Sequence, residues 1–243
     1  MKTRYLSWDE AVELFERRGL PKSTYENLYE EQYILVEGPV VVDGHLPLDD
    51  HDRTPWAEAT PDAATGYIVD GDLTVEGNLV DFDDGSAALV VLGRLSAHGV
   101  YFEGDVKLIA LGDVAVRALV GYMTEKLVMI HGDLRTSVAA FLDEFAPDLV
   151  TGTLSGRLLA PDYLDLTGDD TVGGLSDPSP GTPLADLLVP EVLAADGSAS
   201  DDFPGFAAVG LDGQAVRDRM ADGLPLSLPP APGGVPRRGA RQG

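Results

Sequence analysis

The sequence contains no cysteine. That excludes disulfides, thiolate metal sites and a cysteine nucleophile, and it fits a reducing compartment. No run of eighteen apolar residues occurs, so no stretch reads as a membrane-spanning helix. Residues 1–10 lack the apolar core of a secretory signal, which makes a cytoplasmic location the expectation. Cations are scarce, with 17 Lys and Arg against 41 Asp and Glu and a net charge of −24. Such a field repels phosphate and anionic lipid, so neither nucleic acid nor a membrane is expected as a partner. Aromatics reach only 7% beside 28 glycines, a balance that suits thin strands and tight turns.

What is present begins with a helix. Residues 7–19 place Ser7 and Glu10 at capping-box spacing, Trp8, Val12 and Phe15 on one apolar face, and Gly19 as a stop before Pro21. Ser23 is the expected cap of a second helix running to Glu31. Residues 1–32 therefore read as an N-terminal helical cap.

The period then changes from helical to alternating. Five segments share one template, an apolar alternation, a glycine and a second alternation: Ile34–Val42, Tyr67–Val75, Leu89–Ala97, Leu108–Val116 and Val128–Thr136. Their glycines, Gly38, Gly71, Gly93, Gly112 and Gly132, are 33, 22, 19 and 20 residues apart, and Gly152 follows as a weaker sixth copy. A repeat near 20 residues built from period-two strands predicts a solenoid whose coils stack. A further apolar segment after each template gives at least two strands per coil. Leu73, Leu95, Val114 and Leu134 fall in register as one internal ladder. The expected solenoid spans 33–160, with an insertion at 43–64. A mixed, partly helical extension follows over 161–224, in which Leu184 to Ala195 reads as an apolar helix divided by Pro190 and Asp212 caps a last helix. Residues 225–243, rich in Pro, Gly and Arg, read as a disordered tail.

Candidate chemistry is thin. The insertion gathers His45, Asp49, Asp50, His51 and Asp52, residue types that suit zinc or a harder cation but that no helix fixes in place; His45, Asp49 and His51 are the weak metal candidates. Asp81, Asp83 and Asp84 before Gly85 bear only a faint likeness to a calcium turn. No nucleophile elbow, no Walker sequence and no dinucleotide fingerprint occurs. His98 and His131 align with dissimilar residues in other coils, as surface or edge positions would. No catalytic residue and no cofactor is therefore expected. Tyr101, Phe102 and Tyr122 fall in the second strand row, where packing is their expected role and a partner patch the alternative.

The repeats at Val69–Val80 and Ile130–Thr136 resemble the coils of bacterial polymer-forming proteins of the bactofilin type. That resemblance covers about the middle half of the chain and implies a short right-handed β-helix that assembles end to end without nucleotide. The present chain departs from it in its longer, less uniform coils and in folded segments on both sides. The combined expectation is a mainly β, right-handed β-solenoid with helical flanks. It would act as a non-catalytic scaffold or protein-interaction module whose partner is itself or another protein, with self-assembly through the solenoid ends in view. An acidic decoy or immunity-type protein that binds a basic partner and a β-helix enzyme acting on polysaccharide are the alternatives.

Overall fold

A parallel strand that is apolar at every position can be buried on both faces, and the Ile-Leu-Val runs of this chain are used that way. In the computed structural model, which describes residues 3–56, 65–84, 87–123, 126–164, 166, 171–195 and 203–229, about five coils stack into a solenoid of three sheets. The first sheet is formed by β2 (Tyr33–Glu37), β5 (Gly66–Asp70), β8 (Ala88–Val91), β10 (Lys107–Ala110), β12 (Leu127–Ile130) and the start of β14 (Leu149–Leu159). The second contains β3 (Val40–Val42), β6 (Leu73–Val75) and the first halves of β9 (Leu95–Phe102), β11 (Val114–Tyr122) and β13 (Leu134–Leu142). The third takes β4 (Leu46–Pro47), β7 (Asn78–Asp81) and the second halves of β9, β11 and β13.

Inward side chains of all three sheets form one core. Its ladder Val40, Leu73, Leu95, Val114, Leu134 and Leu154 is in strict register, each member pairing with its neighbours in the adjacent coils. Each is buried, which stabilises the stack by roughly 1.5–3 kcal/mol per side chain. The repeat glycines stand at the corner between the first and second sheets. A Cβ on Gly93 would lie 2.6 Å from the Gly71 carbonyl carbon, so the corner closes only with glycine.

The outer faces differ from one another. Leu35, Ile68, Val90 and Ile109, facing outward from the first sheet, are covered by α1 (Trp8–Arg18) and α2 (Lys22–Tyr25). The capping box at Ser7 and Glu10 and the left-handed Gly19 bound α1 as expected. Its buried side chains are Ala11, Leu14 and Phe15, while Trp8 and Val12 are half-buried. The second helix is shorter than expected and starts after Pro21, not at Ser23. Asn27 Nδ2 donates to the Ser23 and Thr24 carbonyls and so closes the helix early. Arg18 donates to the Leu92 carbonyl and Thr24 Oγ1 meets His131 Nε2 at 2.9 Å, fastening these helices to the coils.

The third sheet is covered by the C-terminal extension. Val189, Val192, Phe206, Val216 and Met220 pack over Val80, Tyr101, Val120 and Tyr122. The apolar helix expected over 184–195 is instead two 3-10 turns, Leu184–Asp186 and Pro190–Val192. Pro190 disfavours a helical residue before it, and Val189 is extended (φ −66°, ψ 143°). Asp212 does cap α3 (Gly213–Ala221) through the Ala215 N–H. Parallel stacking also runs beyond residue 160, since β15 (Val172–Ser176) pairs with β14. Ser227 bridges Leu188, so ordered structure continues past 225; residues 196–202 and 230–243 lie outside the described residues.

The poles of the core are plugged. At one end Leu48 and Trp56 are buried in the core, with the Trp56 ring 4.8 Å from that of Tyr67. An additional strand, β1 (Thr3–Leu6), pairs antiparallel to β2 and closes the edge of the first sheet. At the other end Leu166 and Val172 join the core, and Leu158, Ala160 and Leu164 pack against it.

Candidate functional site

Among the described residues, two outer faces are covered by the chain's own flanks and the outer face of the second sheet is left open. Its strands carry small or polar residues outward: Thr74, Ser96 and Ala115 succeed one another in adjacent coils. Because consecutive coils lie about 4.8 Å apart, these residues form the floor of a shallow trough running along the solenoid axis. One wall is the column after the corner glycines, Asp72, Arg94, Asp113 and Asp133. The other is Glu76, His98, Arg117 and Ser137.

The first wall is built by the Gly-Asp step of the repeat. Asp72 Oδ1 accepts the Arg94 backbone N–H at 2.8 Å, Asp113 Oδ1 that of Asp133 at 3.0 Å, and Asp133 Oδ1 that of Thr153 at 3.0 Å. Each carboxylate thus satisfies a corner donor in the next coil that the backbone ladder leaves over. Arg94 pairs with Asp72 at 2.9 Å, and Arg135 bridges Asp113 at 2.9 Å and Asp133 at 2.5 Å. The N–H of Arg94 and then its guanidinium hold Asp72 below the usual carboxylate range. Asp113 is lowered by the Asp133 N–H and also by Arg135.

The opposite wall is less engaged. Among the described residues the Arg117 guanidinium makes no ion pair, and His98 is exposed beside it. Arg94, Arg117 and Arg135 are the three arginines of residues 66–145, and all three stand on this face of a chain with net charge −24. Ser96 Oγ donates to Thr74 Oγ1 at 3.1 Å rather than to a histidine, so the hydroxyls here are structural donors and acceptors. The face offers a stiff, regularly spaced array of hydrogen-bonding groups with no enclosed cavity.

The residues singled out from the sequence lie elsewhere. His45 Nδ1 accepts the Asn78 N–H at 3.0 Å, and Asp49 Oδ2 accepts the Phe82 N–H at 2.9 Å. Both therefore tie the first coil to the second, and His51 begins the 3-10 turn His51–Arg53. Among the described residues no three His, Asp or Glu are placed to hold a metal ion. The insertion is in large part the third side of the first coil, β4, followed by the plug of Leu48 and Trp56; residues 57–64 lie outside the described residues. Asp81 of the suggested calcium turn is buried and accepts the Val106 N–H at 3.3 Å, while Gly85 lies outside the described residues.

Tyr101, Phe102 and Tyr122 are buried, which corrects the notion of an aromatic patch open to a partner. Phe102 points into the core, and Tyr101 and Tyr122 lie beneath the extension, Tyr122 with its ring 5.3 Å from that of Phe206. Tyr101 donates to Glu103 Oε2 at 3.0 Å, which also accepts from Arg217 Nε of α3 at 2.7 Å. Burial, then the Glu103 charge, raise the Tyr101 phenol far above its ordinary range. The trough itself escaped sequence reasoning, though its signal was there in the polar outward positions between Leu73 and Val75 and between Leu95 and Ala97. No family model matches this chain, and neither a curated protein nor a solved structure matches it.

Proposed function

We propose that this protein is a non-catalytic interaction module that presents the open second sheet to a protein partner. The observation that carries this reading is the asymmetry of cover among the described residues: two outer faces are sealed by the chain's own flanks, and the third is a polar trough with Arg117, which forms no ion pair among those residues, on its wall. A shallow face without an enclosed cavity suits a broad macromolecular contact better than a small molecule, which is ordinarily held in a concave pocket. Likeness to bactofilin-type proteins is proposed at the level of the coil. Stacking through the solenoid ends is left out of this reading, because Trp56, Leu166 and the antiparallel β1 occupy the places where another coil would add.

The test is site-specific photo-crosslinking in the native host. A crosslinker at Ala115, on the trough floor, should give a discrete heterologous adduct that the same group at Tyr163, exposed outside the trough, does not. Absence of any adduct at Ala115, or equal adducts at both positions, would remove this reading. Adducts of twice the chain mass would point to self-association instead.

A further inference from the structure

We propose that residues 230–243 of this chain dock in the acidic groove between α1 and α2 of the same molecule. The groove has an apolar floor of Trp8, Val12 and Tyr25 and a rim of Asp9, Glu13, Glu16, Glu26 and Glu30, with Lys22 the one cation among the described lining residues. Glu16 accepts from the Tyr25 hydroxyl at 3.2 Å. Among the described residues Asp9, Glu13, Glu26 and Glu30 form no ion pair. Asp9 and Glu13 stand four residues apart on α1, and Glu13 and Glu16 three apart, spacings at which like charges repel. A cation laid in the groove relieves that repulsion.

The chain carries such a cation source. No acidic residue follows Asp222, whereas Arg237, Arg238 and Arg241 all lie in the last fourteen residues. Val235 supplies an apolar contact for the floor, and Pro230, Pro232 and Pro236 lower the entropy lost on ordering the segment. The −24 field of the whole chain draws a basic segment toward its surface.

Geometry permits the connection. Leu224 accepts a hydrogen bond from Asn78, and Gly223 abuts His45 of the first coil. Trp8, at one end of the groove, lies 6.1 Å from the ring of Tyr33, also in the first coil. The extension is thus tied to the first coil on the third sheet, and one end of the groove lies beside the first coil on the first sheet. Fourteen extended residues reach about 46 Å, against a radius of gyration of about 18 Å for a domain of this length.

Trp8 is one of two tryptophans, so a Trp56→Phe background makes fluorescence report on the groove alone. In that background, the full chain and a chain ending at Pro229 should differ in emission, and a synthetic 230–243 peptide should restore the full-chain spectrum saturably. Raising ionic strength from ~0.05 to ~0.5 M should weaken the peptide by on the order of tenfold. Glu13→Gln with Glu26→Gln should weaken it similarly while leaving the thermal midpoint unchanged. Superimposable spectra of the two chains, or peptide binding indifferent to the two Gln substitutions, would overturn the proposal. So would a light-scattering mass that rises with concentration only for the full chain, which would place the segment on a neighbouring molecule.

Discussion

The His45 imidazole accepts the backbone N–H of Asn78 through Nδ1, and Asn78 Nδ2 in turn donates to the Leu224 carbonyl at 3.1 Å. One residue of the second coil is therefore held by the first coil on one side and by the C-terminal extension on the other. The bond requires a neutral imidazole with its proton on Nε2. Burial, with the charges of Arg53 and His98, pushes the His45 pKa below its ordinary 6.5. Burial does the same to His131 at the junction with Thr24.

The unfolded chain thus takes up these protons before the folded one does. Stability is fully present above about pH 7 and falls as pH drops through 6.5 and below. Urea midpoints measured from pH 8 to pH 5 should decline, and the His45→Gln, His131→Gln double variant should flatten the decline. An equally steep curve in the double variant would assign the loss to other groups.

Trp56→Ala should open the plugged pole. Removing a buried indole costs about 3–5 kcal/mol. The urea midpoint should fall accordingly, and light scattering should show association that the parent chain lacks. A loss below 1 kcal/mol by that measurement would mean the first coil seals without the ring.

Within one strand, Leu95→Ala and Ser96→Ala should differ sharply. Leu95 fills the ladder between Leu73 and Val114, and its truncation should cost about 2–5 kcal/mol. Ser96 faces the open trough, where a surface change usually stays within about 0.5 kcal/mol. Denaturant titrations of the two variants check the orientation of the second sheet directly.

A chain ending before Leu184 should expose Val80, Tyr101, Val120 and Tyr122 together. It should bind an apolar dye and associate, which dye fluorescence and light scattering read out. A monomeric, dye-silent product would show that the third sheet does not need its cover.

The coils were legible because their determinants are local: a corner glycine between two period-two alternations occurs five times, at spacings that settle near 20 residues. Leu73, Leu95, Val114 and Leu134 could be placed in one ladder on that basis alone. The flanks were not, because their conformation is decided by what they cover. Leu184 to Ala195 has helical apolar spacing, yet Pro190 and the aromatic surface beneath it turn it into two short 3-10 turns. Tyr101 and Tyr122 face outward from their strands, and whether outward means exposed depends on a segment that is distant in the sequence, with Phe203 and Phe206 against Tyr122. His45 and Asp49 looked like ligands by type; their partners are backbone N–H groups of the next coil, which spacing cannot disclose.

The direction of β1 has its own consequence. A solenoid has translational symmetry, since every coil offers the next one the same parallel template. β1 runs against that direction and is the sole antiparallel pairing among the described strands that have named partners. An incoming coil at this edge would meet a strand whose donors and acceptors follow a different spacing from the one it was built to read. At this edge of the first sheet the parallel template thus ends, and where it ends is written into the chain as firmly as the cross-section.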